Sequence, residues 1–167
     1  MAYSTMAVAN ALVSRAKTGR LKQLTPMKLQ KLLFFAQSWH LARNDGDPLI
    51  DDFFCRWQYG PVIPSLYHEF KEYGASPISG YGGHIVERDG EVVRVRPIVG
   101  ESDTDTWALI DEIIQVYGPY SGSQLSAITH EPGSAWSESG AVNGDPISNA
   151  DLARYIRNNQ HFHAEAA

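Results

Sequence analysis

The sequence predicts an α+β fold: one mostly α-helical domain around a central buried helix, with a small antiparallel β-sheet or hairpin. Three observations carry this. The stretch Thr25 to Ala42 (TPMKLQKLLFFAQSWHLA) is apolar nearly all the way round a helix. The segment HIVERDGEVVRVR, residues 84–96, holds two β-rich runs around Asp89-Gly90, the pair that a tight hairpin turn demands. The remaining apolar residues recur at helical spacing behind recognisable caps.

In chain order, Ser4 can cap a first helix ending near Lys17, with Met6, Val8, Leu12 and Val13 apolar and Gly19 as the stop. Thr25 caps the next helix, and Pro26 stands at the first helical position, where its missing N–H costs nothing. At about 100° per residue, Leu29, Leu32, Leu33, Ala36 and Trp39 share one arc, while Met27, Phe34 and Leu41 share a second, nearly opposite. Two apolar arcs mean burial on more than one side. Lys28, Gln30, Lys31 and Gln37 lie in the polar seams, where either their heads reach solvent past apolar stems or they meet a partner. Scaffold residues are the preferred reading. His40, on the main arc, reads as a hydrogen-bonded core histidine.

Asn44 to Pro48 is a turn cluster. A strand is expected near Phe53 to Gln58, broken by Gly60-Pro61. Pro64 opens a helix over 65–73 with Leu66, Tyr67, Phe70 and Tyr73 buried and Gly74 as its stop. The Gly-, Ser- and Pro-rich stretch 74–83 reads as a mobile loop. The 84–96 hairpin, with Val86, Val93 and Val95 alternating, should have one wet face and pair with the strand near Phe54 or lie on helices. Acids at 101–105 suit the start of a helix running to Tyr117, and Ser121 or Ser123 caps a shorter one to His130. Residues 132–146 read as a polar loop around Trp136, and Ser148 caps a last helix through Ile156. The domain is expected to span 1–157, leaving 158–167 as a frayed tail.

The chain has 167 residues, 43% hydrophobic and 20% charged, as befits one soluble globular domain. No apolar run approaches the roughly 18–20 residues that cross a bilayer, and the N-terminus makes a poor signal peptide. One cysteine, Cys55, reads as a buried, inert thiol, and the cytoplasm is the expected compartment. The net charge of −5 is unevenly spread: all 19 acidic residues lie beyond Asn44, whereas seven of the 14 basic ones precede it. Either the two halves pair inside the fold, or they form faces that steer a charged partner.

No catalytic, metal or cofactor constellation emerges. The sequence has no His-Glu-x-x-His, no cysteine pair, no calcium loop, no phosphate loop and no Gly-x-Ser-x-Gly. His161 and His163 read as stray tail residues, His68 as exposed, and His130 as a helix-end histidine suited to bond carbonyls. Nucleic acid is disfavoured because the chain is acidic overall and lacks a binding signature, although Arg15, Lys17, Arg20 and Lys22 keep it as an alternative.

The three words TPMKLQKLLFFAQSWHLA, FFCRWQYGPVIPSLYHEFKEYG and SQLSAITHEPGSAW, in that order, resemble the Panacea domain family of SocA-like, phage-associated GepA-type antitoxins. The similarity runs from about Val8 to Trp136. The family words fall on Leu29, Gln30, Lys31, Leu32, Gln37, Trp39 and His40, then on Trp57, Tyr59, Gly60, Pro61, Val62 and Tyr67. The third covers Leu125, Ser126, Thr129, His130 and Trp136. The resemblance implies an antitoxin of a bacterial or phage toxin–antitoxin pair that neutralises a cognate protein toxin by binding it, with no enzymatic activity. One branch resembles proteolytic adaptors that present a toxin to a protease. Candidate partner-binding residues are Lys31, Tyr59, Tyr67, Glu101, Asp103, Asp105, His130 and Trp136; the acids, with Asp111 and Glu112, could cover a cationic toxin site. Homo-oligomerisation stays open.

Overall fold

A computed structural model of the chain describes residues 2–138 and 143–159. The elements in order are helices α1 (Thr5–Lys17) and α2 (Pro26–Arg43), strands β1 (Cys55–Trp57) and β2 (Gly60–Val62), and helix α3 (Pro64–Phe70), which tightens into a 3-10 turn at Lys71–Tyr73. Strands β3 (His84–Arg88) and β4 (Glu91–Val95) follow, then helices α4 (Thr104–Tyr117), α5 (Gly122–Thr129), α6 (Ala135–Glu138) and α7 (Asn149–Asn158). The α+β expectation holds, with two separate two-stranded antiparallel sheets among the described residues.

Helix α2 is the hub. Thr25 accepts from the Lys28 amide as its cap, with Pro26 in the first turn. Every residue from Lys28 to Trp39 is buried, and α1, α3, α4, α5, α7 and β2 all pack on it. On one side Phe35 stacks on Tyr117 at 3.9 Å, and Trp39 donates its Nε1 to the Tyr117 hydroxyl. On the opposite side Phe34 meets Phe54 edge-on at 5.5 Å. The two apolar arcs thus serve two halves of one core, although Met27, at the first turn, is only half-buried.

Three of the four polar residues in the seams of α2, Lys28, Gln30 and Gln37, bond inside the fold rather than reaching solvent. Lys28 donates to the carbonyls of Lys22 and Gly118. Gln37 accepts from the amides of Leu49 and Ile50 and donates to Ile50 O. Gln30 bonds both the amide and the carbonyl of Ile63, as a neighbouring strand would. A buried loop carries backbone groups that need partners, and these side chains supply them.

Other expectations change. Gly60-Pro61 does not break the strand; the chain turns at Gln58-Tyr59, and Gly60, Pro61 and Val62 form β2, with Trp57 opposite Gly60 and Cys55 opposite Val62. Tyr67 is exposed rather than buried, because α3 turns only Leu66 and Phe70 inward and Tyr73 is half-buried. His40 lies at the edge of the core, half-buried, with its Nδ1 2.7 Å from Asp47 O. The 74–83 stretch is fastened, not loose. Ile78 is buried and donates its amide to Leu24 O, and the buried Asn10 bonds the amide and carbonyl of Gly82 together with Pro97 O. A Cβ at Gly82 would lie 2.5 Å from Met6 Sδ and 2.7 Å from Phe70 Cζ, so any larger residue would have to push these side chains aside.

The Asp89-Gly90 hairpin forms as expected and has the wet face expected of it, where Ile85 and Val92 are exposed, but among the described residues β3 and β4 pair only with each other. Cys55 is half-buried; burial first, and then the carboxylates of Asp52 and Asp145, push its thiol upward, which suppresses the thiolate. The polar loop expected around Trp136 contains α6, and α7 runs two residues beyond Ile156. Residues 160–167, including His161 and His163, lie outside the described residues.

Charge asymmetry resolves partly into internal pairing. Arg15 forms a two-pronged bond with Asp111 (2.7 and 3.1 Å), and Arg43 forms another with Glu112 (2.7 and 2.9 Å). Arg15 also lies over the Trp107 ring and Arg43 over Trp39. Helix α4 is thereby stitched to α1 and α2.

Candidate functional site

The β1–β2 hairpin is too short to stand alone, since even full-length isolated hairpins are marginal in water. Side chains from α2, α5 and α6 hold its backbone in place. Trp136 Nε1 donates to Trp57 O at 3.0 Å. His130 Nε2 lies 3.0 Å from Gln58 O. Ser126 Oγ donates to Tyr59 O at 2.7 Å. Lys31 Nζ donates to Pro61 O at 3.1 Å, and Gln30 completes the series at Ile63. Five carbonyls between residues 57 and 63 are therefore bonded by side chains of distant helices. Each such bond contributes about 1 kcal/mol net, and each buried carbonyl left without a donor would cost about 1–3 kcal/mol.

The histidine is held from both sides. Its Nδ1 lies 2.6 Å from Ser126 O while its Nε2 faces Gln58 O. Carbonyls only accept, so a neutral ring completes one of these bonds and a doubly protonated ring completes both. Its ring also packs on Trp136, with centroids 4.1 Å apart.

Lys31 is the unusual member. It is 1% exposed and has a carbonyl, not a carboxylate, as its partner. Desolvation lowers its pKa from 10.5 to about 7. Gly60 makes room for it: φ is +110°, and a Cβ there would lie 3.2 Å from Lys31 Nζ and 2.7 Å from Thr129 Oγ1.

Between the start of α2, the hairpin and α3 lies a pocket of about 550 Å³, within the range of small-ligand and peptide side-chain sites. Its walls include Met27, Trp57, Tyr59, Leu66, Tyr67 and Phe70, with Lys31 and Arg56 among the lining residues. Trp57 and Tyr67 meet edge-on at 5.2 Å. Tyr59 at the hairpin tip is 63% exposed and Tyr67 is 43% exposed.

Of the candidate residues, the structure brings five together. Lys31, His130 and Trp136 pin the hairpin, while Tyr59 and Tyr67 line the pocket and stand exposed at its side. The acids Glu101, Asp103 and Asp105 are not among its lining residues. Asp103 caps α4 through the Thr106 amide and accepts from the Tyr3 hydroxyl; that hydroxyl first, and then Thr106, hold its carboxyl below the usual range. Glu101 and Asp105 are exposed. Sequence reasoning missed Gln30, Ser126 and Arg56 as parts of the site. Gln30 and Ser126 are matched positions of the shared words, Arg56 stands inside the second word, and Gln30 also lay in a polar seam of the hub helix. Among the described residues no group of three or more His, Cys, Asp or Glu side chains is placed to hold a metal, and no helix is long and apolar enough to cross a membrane.

A helical scaffold thus immobilises a small hairpin beside an aromatic pocket. The chain belongs to the SocA-like antitoxin, Panacea domain family, whose model matches residues 29–137. That span covers α2 from Leu29 onward, the hairpin, and Ser126, His130 and Trp136, which pin it. The chain is also 33% identical over 133 residues to a protein named Antitoxin SocA from Caulobacter vibrioides (strain NA1000 / CB15N), an alignment covering 78% of this chain and 66% of the relative. The chain therefore spans about two thirds of that relative's length. No solved structure matches it.

Proposed function

We propose that this protein is an antitoxin that neutralises a cognate protein toxin by direct contact, through the hairpin tip and the aromatic pocket, and that it acts in the cytoplasm as a binding protein rather than a catalyst. The observation that carries the reading is convergence: the family's three sequence words supply the clamp, the clamped hairpin and the second clamp of one device. Side-chain bonds to five carbonyls fix the hairpin that carries Tyr59. A fixed hairpin presents Tyr59 rigidly and sets Trp57 edge-on against Tyr67, and pre-ordered aromatic side chains bind with little entropic loss.

The test is co-expression with the neighbouring reading frame. That frame should be toxic alone and harmless with this protein, and Tyr59→Ala with Tyr67→Ala should abolish rescue while leaving the melting temperature unchanged. Rescue that survives both substitutions would move the contact elsewhere. The toxin's lifetime separates occlusion from delivery to a protease: it is unchanged by the antitoxin in the first case and shortened in the second.

A further inference from the structure

The pocket beside the hairpin holds an electrostatic imbalance. Two basic side chains line it, Arg56 and Lys31, the latter an ammonium below about pH 7, and no Asp or Glu is found among its described lining residues. Neither cation has its donors matched. The Lys31 ammonium has three N–H groups and one acceptor among the described residues, Pro61 O. Arg56 donates through Nη1 to Pro146 O at 3.0 Å, while its Nε is buried with no partner. A buried donor without an acceptor costs free energy that an incoming acceptor recovers. The rest of the wall is apolar and aromatic, supplied by Met27, Trp57, Leu66, Tyr67 and Phe70.

We propose that this pocket receives a protein segment in which an aspartate or glutamate side chain stands next to a large apolar residue, the carboxylate reaching Lys31 and Arg56 and the apolar group filling the aromatic wall. The choice of occupant rests on charge complementarity: a carboxylate supplies the acceptors that both cations lack, and an uncharged apolar segment supplies none. The proposal rests on the reading of this protein as a toxin-binding antitoxin, and names the kind of toxin segment it grips. Gly60 contributes by keeping a side chain from displacing the Lys31 ammonium.

The test is calorimetric titration of the full chain with three peptides: acetyl-Leu-Phe-Asp-amide, acetyl-Leu-Phe-Asn-amide and acetyl-Leu-Phe with a free C-terminal carboxylate. The Asp peptide should bind at least about tenfold more tightly than the Asn peptide, the gain of one desolvated charged pair. Arg56→Ala, a change at a half-buried position, and Lys31→Met should each shrink that ratio towards one. Equal binding of the Asp and Asn peptides, or binding of neither at millimolar concentration, overturns the proposal. Tighter binding of the free-acid peptide also overturns it, in favour of a chain end. An Asp preference that persists in Arg56→Ala and Lys31→Met together overturns the assignment of the cations. A neighbouring toxin that this protein fails to neutralise would defeat the antitoxin reading and leave the peptide preference intact, so the two failures are distinguishable.

Discussion

Replacing Lys31 with methionine should change how stability depends on pH. The side chain is 1% exposed, and burial lowers its pKa from 10.5 to about 7. In the unfolded chain it returns to its ordinary value. Below pH 7 both states hold the proton, and the folded state bears the full cost of a buried charge. Between about 7 and 10.5 the folded state is mostly neutral while the unfolded state still binds the proton, so stability rises with pH and levels off above that window. The shift corresponds to at most about 5 kcal/mol, of which about 3 kcal/mol falls between pH 6.5 and pH 9.5. Methionine keeps the stem's packing and removes the charge, at a pH-independent loss of the donor to Pro61 O. Urea unfolding of both proteins at those two pH values isolates Lys31, because every other titrating group is common to the pair. The stability of Lys31→Met relative to the parent should fall by about 3 kcal/mol on going from pH 6.5 to 9.5. A difference constant to within about 0.5 kcal/mol would refute the reasoning, and would mean that water reaches the ammonium.

Three further outcomes follow from the same geometry. Gly60→Ala places a Cβ 2.7 Å from Thr129 Oγ1 at a φ of +110°; it should cost roughly 2 kcal/mol or more in urea unfolding and abolish toxin rescue, because the hairpin must move. Gln37→Leu strips the acceptor from the amides of Leu49 and Ile50, and should lower stability by about 2–4 kcal/mol with little change in side-chain volume, as read from the urea midpoint. Arg43→Ala removes an ion pair with Glu112 that is 39% and 29% exposed on its two sides; the loss should be under about 1 kcal/mol and should shrink further in high salt.

How much of this was legible beforehand varies with the range of the interaction involved. Helix starts were readable because a cap and its partner lie within three residues. Thr25 and Ser148 cap their helices as expected, and of the two candidates Ser121 and Ser123 it is Ser121 that caps α5. The Asp89-Gly90 turn was readable for the same reason, and α2 betrayed its burial by having no polar face. Strand β2 was not readable. Gly-Pro-Val has a poor strand composition, and its backbone is satisfied by Lys31, about 30 residues earlier, and by helix residues on α5 whose reach no local pattern encodes. The wet face of the β3–β4 hairpin was readable from the alternation of Val86, Val93 and Val95, but its lack of a further strand partner among the described residues was not, because alternation shows which residues share a face and not what lies beside them.

By itself, then, the sequence determined the local elements, the central position of α2 and, through its three words, the family. Those rest on contacts between near neighbours or on residue identity alone. Only the tertiary structure decided what the polar residues of those words are for. Gln30, Lys31, Ser126, His130 and Trp136 point at carbonyls that lie 30 to 79 residues away in the chain, and a bond to a backbone carbonyl leaves no mark on the identity of the residue that accepts it. The same holds for the charge asymmetry. Composition shows a basic first third and acidic remainder, but whether Arg15 meets Asp111 or a foreign surface depends on α1 and α4 packing together, which is a property of the folded chain.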